Sequence, residues 1–511
     1  MRGWARLRSS LQSLEARRTF SSSASTETRV GIAQLLSQSG NQSDVDVYGW
    51  VRSLRRQKRV AFVALGDGST LESLQAVLKP DQAVELSVGA AVRLKGSWQE
   101  SKGAKQSHEL QVHDVKVLGE NDAEHNPLQP KVQTADWLRT IPHLRPRIPG
   151  HTLLLRLRSQ VIASITAHFN KQGFVQTHTP VITSSDCEGA GEVFTVSAGD
   201  SKDTKQHISG GGEIEVEHFF RTPKYLTVSA QLHLEALAQA VDKVWTLSPT
   251  FRAEKSDTPR HLAEFYMLEA EMCFVDDLED VMDVVENMLG AAARDLLTSA
   301  TGDELLQARS ASVSDHENGH DRVTAEILQR RWAGMADGAW PRITYTEAIE
   351  HLQAAEKAGL SKFVFHPSYE SGLQAEHERY LATNIGEPHQ PVFVTDYPRA
   401  QKPFYMSPSI VTHNTKGTED TAACFDLLVP DLCELVGGSM REHRLKELQR
   451  SMAERGINGA GLEWYQDLRR YGSVPHGGFG LGFDRLLCYL GGVGNLRDIV
   501  AFARWHGRCD A

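Results

Sequence analysis

Cysteine is scarce in this chain, with six in 511 residues (Cys187, Cys273, Cys424, Cys433, Cys488 and Cys509) and no Cys-x-x-Cys pair among them. That excludes a disulfide framework and a structural zinc site, and it predicts reduced, mostly buried thiols. No apolar run approaches the ~20 residues needed to span a bilayer. Positive charge is not in surplus either: 55 Lys and Arg stand against 65 Asp and Glu, for a net charge of −10. A nucleic-acid partner would therefore meet local basic patches rather than a basic molecule. The Walker A lysine motif is missing. The one glycine-rich run lacks the third glycine of G-x-G-x-x-G, so a P-loop and a dinucleotide fingerprint are both excluded. With 40% hydrophobic and 23% charged residues, the remainder has an ordinary globular composition, long enough for two or three domains.

The first 28 residues differ from the rest. Arg2, Arg6, Arg8, Arg17 and Arg18 stand among serines and leucines, with Glu15 the only acid before Glu27. On a helix Trp4, Leu7, Leu11 and Leu14 fall on or near one face. An arginine-rich, serine-rich, acid-poor amphipathic N-terminus is the composition of a mitochondrial transit peptide, and we expect cleavage between Phe20 and Ser25.

From residue 29 to residue 119 the pattern is short and β-like. Val45–Val51, Val60–Leu65, Leu74–Leu78, Ala91–Gly96 and Leu110–Val117 predict about five strands, the number of a small closed OB-type barrel. Arg52, Arg55, Arg56, Lys58 and Arg59 cluster after the first of them; beside an aromatic strand such a patch suits phosphate contact. Phe62 fits either the barrel core or a stacking position. Residues 120–150 are rich in proline towards their end and read as a hinge. Leu154, Leu157, Val161, Ile165 and Phe169 then recur at helical spacing, and Gly173 ends that helix. Pro180 marks the following strand as a sheet edge or a subunit interface. Segments 199–217 and 300–339 read as surface insertions without chemistry.

Two constellations carry chemistry. In the first, Phe251 to Arg260, then His261 and Phe265, the pattern predicts a strand ending at Glu254, a polar turn and a returning strand. Period-two alternation puts Arg252 and Glu254 on one face, and Phe265, Met267, Glu269 and Glu271 on one face of the returning strand. A charged hairpin face inside an apolar domain is costly unless it lines a site. Two arginines, a histidine and a flat ring suit a nucleoside triphosphate. The second constellation is Gly477 to Arg485, a glycine-rich strand running into a helix. Arg485 falls in the first helical turn, where the helix dipole disfavours it, so the position suits an anion.

These segments resemble, in order, the three motifs of class II aminoacyl-tRNA synthetases: the long helix with Gly173, Phe174, Thr179 and Pro180, then Phe251–Glu271, then Gly478–Arg485. With an N-terminal OB-fold the chain resembles subclass IIb, and the class I hallmarks His-Ile-Gly-His and Lys-Met-Ser-Lys-Ser are absent. The resemblance covers about residues 30 to 511. It implies an α+β fold, with an anticodon-binding OB-fold barrel over residues 29–119 and, over residues 151–511, a catalytic antiparallel β-sheet flanked by helices. It implies ATP as substrate, Mg²⁺ as cofactor, and a homodimer formed through the motif 1 region around Pro180. Carried over by position, Arg252 and Arg485 would be the catalytic arginines. Arg252 would hold the α-phosphate and the reacting carboxylate, and Arg260, His261 and Arg485 the outer phosphates. Phe265 would stack on adenine, Glu254 would complete the ATP site, and Asp426 and Glu434 would bind metal.

For the amino acid, Glu188, Gln231, Glu235 and Arg441 are the implied contacts. Aspartyl enzymes usually carry a lysine three residues after the glutamine. Here that residue is Leu234, followed by Glu235, as in the asparaginyl members. A carboxylate accepts from an amide NH₂ and repels a carboxylate, so the resemblance implies L-asparagine and tRNA(Asn) as partners. An aspartyl enzyme, an ammonia-dependent asparagine synthetase of the same fold and a non-catalytic RNA-binding paralogue are the alternatives; the second would lack the barrel and would not keep Glu235, and the third would be expected to lose at least one of Arg252, Arg485, Asp426 or Glu434, all of which are present. Arg52, Phe62 and Gln75 match the anticodon-binding positions, with Phe62 stacking on the central uridine and Gln75 hydrogen-bonding it.

Overall fold

A computed structural model describes residues 29–103, 106–129, 131–184, 193–198, 206–208, 214–216, 218–311, 323–409, 420–457, 459 and 461–511. The segment read as a transit peptide, Cys187 and Glu188 lie outside the described residues. The chain divides into two compact units after Pro130.

In the first unit, strands β1 (Gln42–Arg56), β2 (Ala61–Gly66), β3 (Leu74–Leu78), β4 (Ala91–Glu100) and β5 (His108–Gly119) close into a barrel of order β1-β2-β3-β5-β4. Alternation decides what is inside. Ala61, Val63 and Leu65 of β2 and Leu74, Ala76 and Leu78 of β3 are buried, each large apolar side chain contributing about 1.5–3 kcal/mol. A Cβ on Gly96 would stand 2.2 Å from the Gln111 carbonyl oxygen, so only glycine allows β4 and β5 to approach there. Phe62 alternates with this core and is only half-buried on the outer surface, one strand from Gln75. The core-aromatic reading of Phe62 is thereby removed.

The second unit is built on a mixed eight-stranded sheet. Among its elements are α1 (Pro149–Lys171), β6 (Val175–Gln176), α2 (Gln231–Val241), β7 (Lys243–Phe251), β8 (Glu264–Cys273), α3 (Leu278–Leu297), α4 (Ala300–Ala311), α5 (Ala325–Ala336), β9 (Arg342–Thr344), α6 (Ala375–Asn384), β10 (Val392–Thr395), β11 (Cys424–Val429), β12 (Cys433–Met440), α7 (Glu463–Arg470), β13 (His476–Gly482) and α8 (Phe483–Gly491). The sheet order is β9-β10-β11-β12-β13-β8-β7-β6. The six central strands are antiparallel, as expected, but the outermost pair at each edge, β9 with β10 and β6 with β7, is parallel. Helix α1 buries Leu153, Leu157, Val161, Ile165 and Phe169, a strict every-fourth-residue stripe that starts at Leu153 rather than Leu154. Gly173 follows it at φ +80°, the left-handed conformation glycine adopts without steric cost. Strand β6 is the sheet edge, with Val175, Pro180 and Ile182 exposed.

Three expectations need correction. The proline-rich stretch is no free hinge beyond residue 130. Arg145 is 2% exposed and donates to the carbonyls of Arg497 and Ala501 at 2.9 and 3.1 Å, which ties residues 131–150 to the C-terminal segment. In its described residues, segment 300–339 is more than a surface insertion. It contains α4 and α5, and α5 buries Trp332, whose Nε1 donates to the Leu490 carbonyl at 2.9 Å. The strand carrying Arg252 ends at Phe251, one residue before it; pairing runs on only through the Arg252 N–H to the Ala263 carbonyl at 3.0 Å. Of the cysteines, Cys273, Cys424, Cys433 and Cys488 are buried thiols and Cys509 is exposed. Among the described residues no helix is long and apolar enough to cross a membrane.

Candidate active site

Sheet register builds the site floor. Glu269 on β8 pairs with Gly480 on β13, Gly480 with Gly437 on β12, and Gly437 with Asp426 on β11. Paired residues project to the same face of a sheet, so this row is two carboxylates separated by two glycines. A Cβ on Gly437 would meet Glu434 Oε1 at 3.4 Å and Asp426 Oδ1 at 3.5 Å; one on Gly480 would meet the end of Met267 at 2.8 Å. The glycines leave a trough in which a ligand can approach backbone closely.

Two clefts open on this floor. Arg252, Met267, Glu434 and Gly480 line both, so the clefts are continuous and Arg252 stands at their junction. The first cleft gathers Glu254, Arg260, His261, Phe265 and Arg485. Thus all six residues expected around ATP do converge, although they come from a loop, a strand and a helix. Arg485 lies in the first turn of α8 and donates to the Glu434 carbonyl at 3.1 Å. Arg260 Nη2 donates to the Asp431 carbonyl at 3.1 Å. His261 Nδ1 lies 3.0 Å from Ser256 Oγ and 2.5 Å from Thr258 Oγ1, and its Nε2 lies 3.6 Å from Glu254. The Arg252 guanidinium sits over the Phe265 ring at 5.7 Å.

Asp426 and Glu434 lie in the second cleft, where Lys402 Nζ donates to Asp426 Oδ2 at 2.8 Å. Burial alone would lower the lysine's pKa, but Asp426 outweighs it and holds Lys402 above its ordinary value. Glu434 is exposed and lines both clefts. Its carboxyl is raised by desolvation and then by Asp426. Glu378 on α6 is pushed up to about 7 by burial and by the charges of Glu434 and Asp426. Acids crowded beside a glycine cradle, with Glu434 and Glu378 raised by their acidic neighbours, fit a divalent cation, whose charge would relieve that repulsion.

The second cleft also holds Ser229, Gln231, Leu234, Glu269, Glu271 and Arg441. Glu269 caps the start of α2: its oxygens accept from Ser229 Oγ at 2.5 Å and from the Ala230 N–H at 2.9 and 3.1 Å. Glu235 does not line the cleft. It is 0% exposed, and its oxygens accept from Tyr465 Oη at 2.8 and 2.9 Å, Arg469 Nη2 at 2.5 Å and Gln231 Nε2 at 3.1 Å, with His476 Nε2 also 3.1 Å away. A direct hydrogen bond from Glu235 to a substrate amide, expected from sequence, is not what this geometry offers. Gln231, one helical turn earlier, stands between them. Burial by itself would raise the Glu235 carboxyl, but Arg469, His476 and Arg441 together hold it well below the usual carboxylate range. Glu235, Glu271 and His476 gather within 4.8 Å. Each of the two carboxylates already meets a guanidinium, so this trio is a salt-bridge network and not a metal site.

A family model described as tRNA synthetases class II (D, K and N) matches residues 138–506, and one described as OB-fold nucleic acid binding domain matches residues 45–118. The chain is 41% identical over 488 residues to an asparaginyl-tRNA synthetase of Mus musculus, covering 95% of each. This chain belongs to the asparaginyl-tRNA synthetase family, within class II. It is also 40% identical to the mitochondrial asparagine–tRNA ligase of Saccharomyces cerevisiae, covering 90% of this chain and 92% of that one. In three dimensions it resembles the asparaginyl-tRNA synthetase of Pyrococcus horikoshii complexed with asparaginyl-adenylate, with a TM-score of 0.76 at 27% identity, covering 94% and 99% of the two chains.

Sequence reasoning placed Glu269 and Glu271 on the charged strand face but gave them no role. It missed Lys402 and the buried set Tyr465, Arg469 and His476 outright. The first two had a signal, strand alternation. The others sit in a loop, on a short helix and at a strand start, and no local pattern distinguishes them from surface residues.

Proposed function

We propose that this chain is a mitochondrial asparagine–tRNA ligase that works as a homodimer with Mg²⁺. It ligates L-asparagine to tRNA(Asn) at the expense of ATP, through an asparaginyl-adenylate. The observation that carries this reading is the pair of clefts meeting at Arg252, one suited to a nucleotide and one to an amino acid. Phe265 and Arg485 enclose the adenine, while Arg260, His261 and Arg485 hold the outer phosphates and Glu254 completes the ATP site. Gln231 and Glu269 face the amino acid's α-ammonium, with Glu188 assigned there by position. Arg441 donates to the side-chain oxygen, and Glu235 acts through Gln231.

The asparagine carboxylate attacks the α-phosphorus and pyrophosphate leaves. Then a ribose hydroxyl at the end of the tRNA attacks the adenylate carbonyl and AMP leaves. No covalent catalyst is needed, because Arg252 neutralises charge that builds on the α-phosphate while holding the attacking carboxylate in line. Asp426 and Glu434 would hold Mg²⁺, which supplies further charge neutralisation on the phosphates.

Three features support the finer parts of the reading. The exposed edge strand β6 with Val175, and Pro180 and Ile182 in the segment after it, suit a second copy. The acid-poor N-terminus suits import, and two fungal relatives at 39–40% identity are named mitochondrial. A fusion of residues 1–28 to a fluorescent reporter should accumulate in mitochondria; a cytosolic reporter would remove the targeting claim. The barrel's outer face, with Phe62, Gln75 and the Arg52 bulge, suits an anticodon base stacked on an aromatic. Purified protein should charge tRNA(Asn) with asparagine, and Phe62→Ala should raise KM for the tRNA roughly tenfold, since one stacked base contributes about 1–3 kcal/mol. Asparagine-dependent pyrophosphate exchange, which needs no tRNA, should stay unchanged. A fall in both would place Phe62 outside tRNA recognition.

A further inference from the structure

A lone buried guanidinium attracts a carboxylate more strongly than a neutral amide, so Arg441 alone would favour aspartate. Arg441 is not alone. Its Nε lies 3.2 and 3.3 Å from the two Glu271 oxygens and its Nη2 lies 3.0 Å from Oε2, with the two residues 4% and 1% exposed. Both line the amino-acid cleft. Nη1 donates to Ser439 Oγ at 2.6 Å. Of the five N–H groups of a guanidinium, this leaves one on each terminal nitrogen for a ligand oxygen. The Glu235 carboxylate pairs with Arg469 and acts on Arg441 only through its field. The other cations of the cleft are placed elsewhere: Lys402 on Asp426 and Arg252 at the junction with the nucleotide cleft. Leu234 adds wall but no charge.

We propose that Glu271 sets the choice of side chain by cancelling the charge of Arg441, so that the cleft reads an oxygen through N–H geometry and excludes a substrate that brings a net negative charge. The inference rests on asparagine being the substrate. The amide oxygen of asparagine accepts from the two remaining Arg441 N–H groups without adding charge. A β-carboxylate in the same place would stand beside Glu271 with no surplus cation, in surroundings dry enough to strengthen the repulsion. Glu271 works through Arg441 and is a positioning residue. Burial raises its carboxyl, with Glu235 adding to that, against the Arg441 guanidinium that donates into both oxygens.

The test is pyrophosphate exchange by the full-length chain, wild type and Glu271→Gln, with asparagine and with aspartate. Glutamine keeps an acceptor for Arg441 and drops the charge. The ratio of kcat/KM for asparagine over aspartate should fall at least tenfold, with the aspartate value itself rising. An unchanged ratio, or equal losses on both amino acids, would overturn the proposal and leave Glu271 a structural residue. Wild type that activates aspartate as well as asparagine would instead sink the substrate reading, so the two failures are distinguishable. A second measurement needs no variant and decides the matter if Glu271→Gln does not fold. L-aspartate β-methyl ester is neutral but has no side-chain N–H. It should inhibit asparagine-dependent exchange at a concentration at least tenfold lower than L-aspartate does. Equal inhibition would mean that the amide N–H, rather than charge, is what the cleft reads, and would overturn the proposal.

Discussion

Arg469→Ala should destabilise the catalytic unit by about 3–5 kcal/mol, the loss expected when one partner of a buried ion pair is removed and the other charge stays buried. Arg469 and Glu235 side chains are both 0% exposed. The guanidinium also donates to the Glu442 carbonyl at 2.9 Å and to Tyr465 Oη at 2.9 Å, and it lies over the Tyr465 ring at 4.1 Å. Truncation leaves Glu235 with hydrogen bonds and with His476, but without its closest cation. The sign of the pH dependence follows. In the wild type the Glu235 carboxyl is held below its unfolded value, so its contribution is present above pH ~4.3 and fades as pH falls towards the folded value. In the variant burial dominates and the carboxyl rises above the unfolded value, so the penalty is full near neutral pH and shrinks on acidification. Urea denaturation should therefore show a gap between wild type and variant that is widest above pH ~6 and narrows towards pH ~4.5. The double variant Glu235→Leu/Arg469→Met should lose less stability than Arg469→Ala alone, because it leaves no buried charge unpaired. A pH-independent gap, or a double variant worse than the single, would refute the unpaired-charge account.

Arg252→Ala should lower asparagine-dependent pyrophosphate exchange by about 10²–10³-fold, which corresponds to about 2.7–4 kcal/mol for one preorganised contact to developing charge. Arg252 is the arginine that lines both clefts, the place the proposed function gives to the attacking carboxylate and the α-phosphate. The effect should fall on kcat more than on KM for either substrate, as for an interaction strengthened in the transition state. Arg252→Lys should recover only part of the loss, because a point charge cannot bridge two oxygens as a planar fork does. Arg260, docked on the Asp431 carbonyl at the outer end of the nucleotide cleft, should instead affect mainly KM for ATP. A tenfold or smaller effect of Arg252→Ala would remove that residue from the reaction centre.

Much of the architecture was readable along the chain, because it depends on periodicity. Five alternating strands, one every-fourth-residue helix and a charged strand face followed by a glycine-rich strand are each local patterns with a local physical cause. That Arg252, Glu254, Arg260, His261, Phe265 and Arg485 would share one cleft was readable for the same reason: Arg252 to Phe265 lie within one hairpin, and Arg485 follows its own glycine strand. The amino-acid end was only half readable. Arg441 and Gln231 were placed correctly in the cleft, yet Glu235 was given a contact that its burial denies it. Helix α5 went unrecognised as core because its buried face includes Arg331, which is 3% exposed, and a charged residue hides an amphipathic stripe.

The five-stranded barrel, the long helix and the charged hairpin followed by a glycine-rich strand were therefore determined by sequence alone, since each arises from neighbours in the chain. Which charge answers which was decided by the tertiary structure. Glu271 meets Arg441 across 170 positions and Glu235 meets Arg469 across 234. Ion pairs of that separation have no period and no motif. They exist only because β8, β12, β13, α2 and α7 come together in a dry place where a charge cannot be left without a partner.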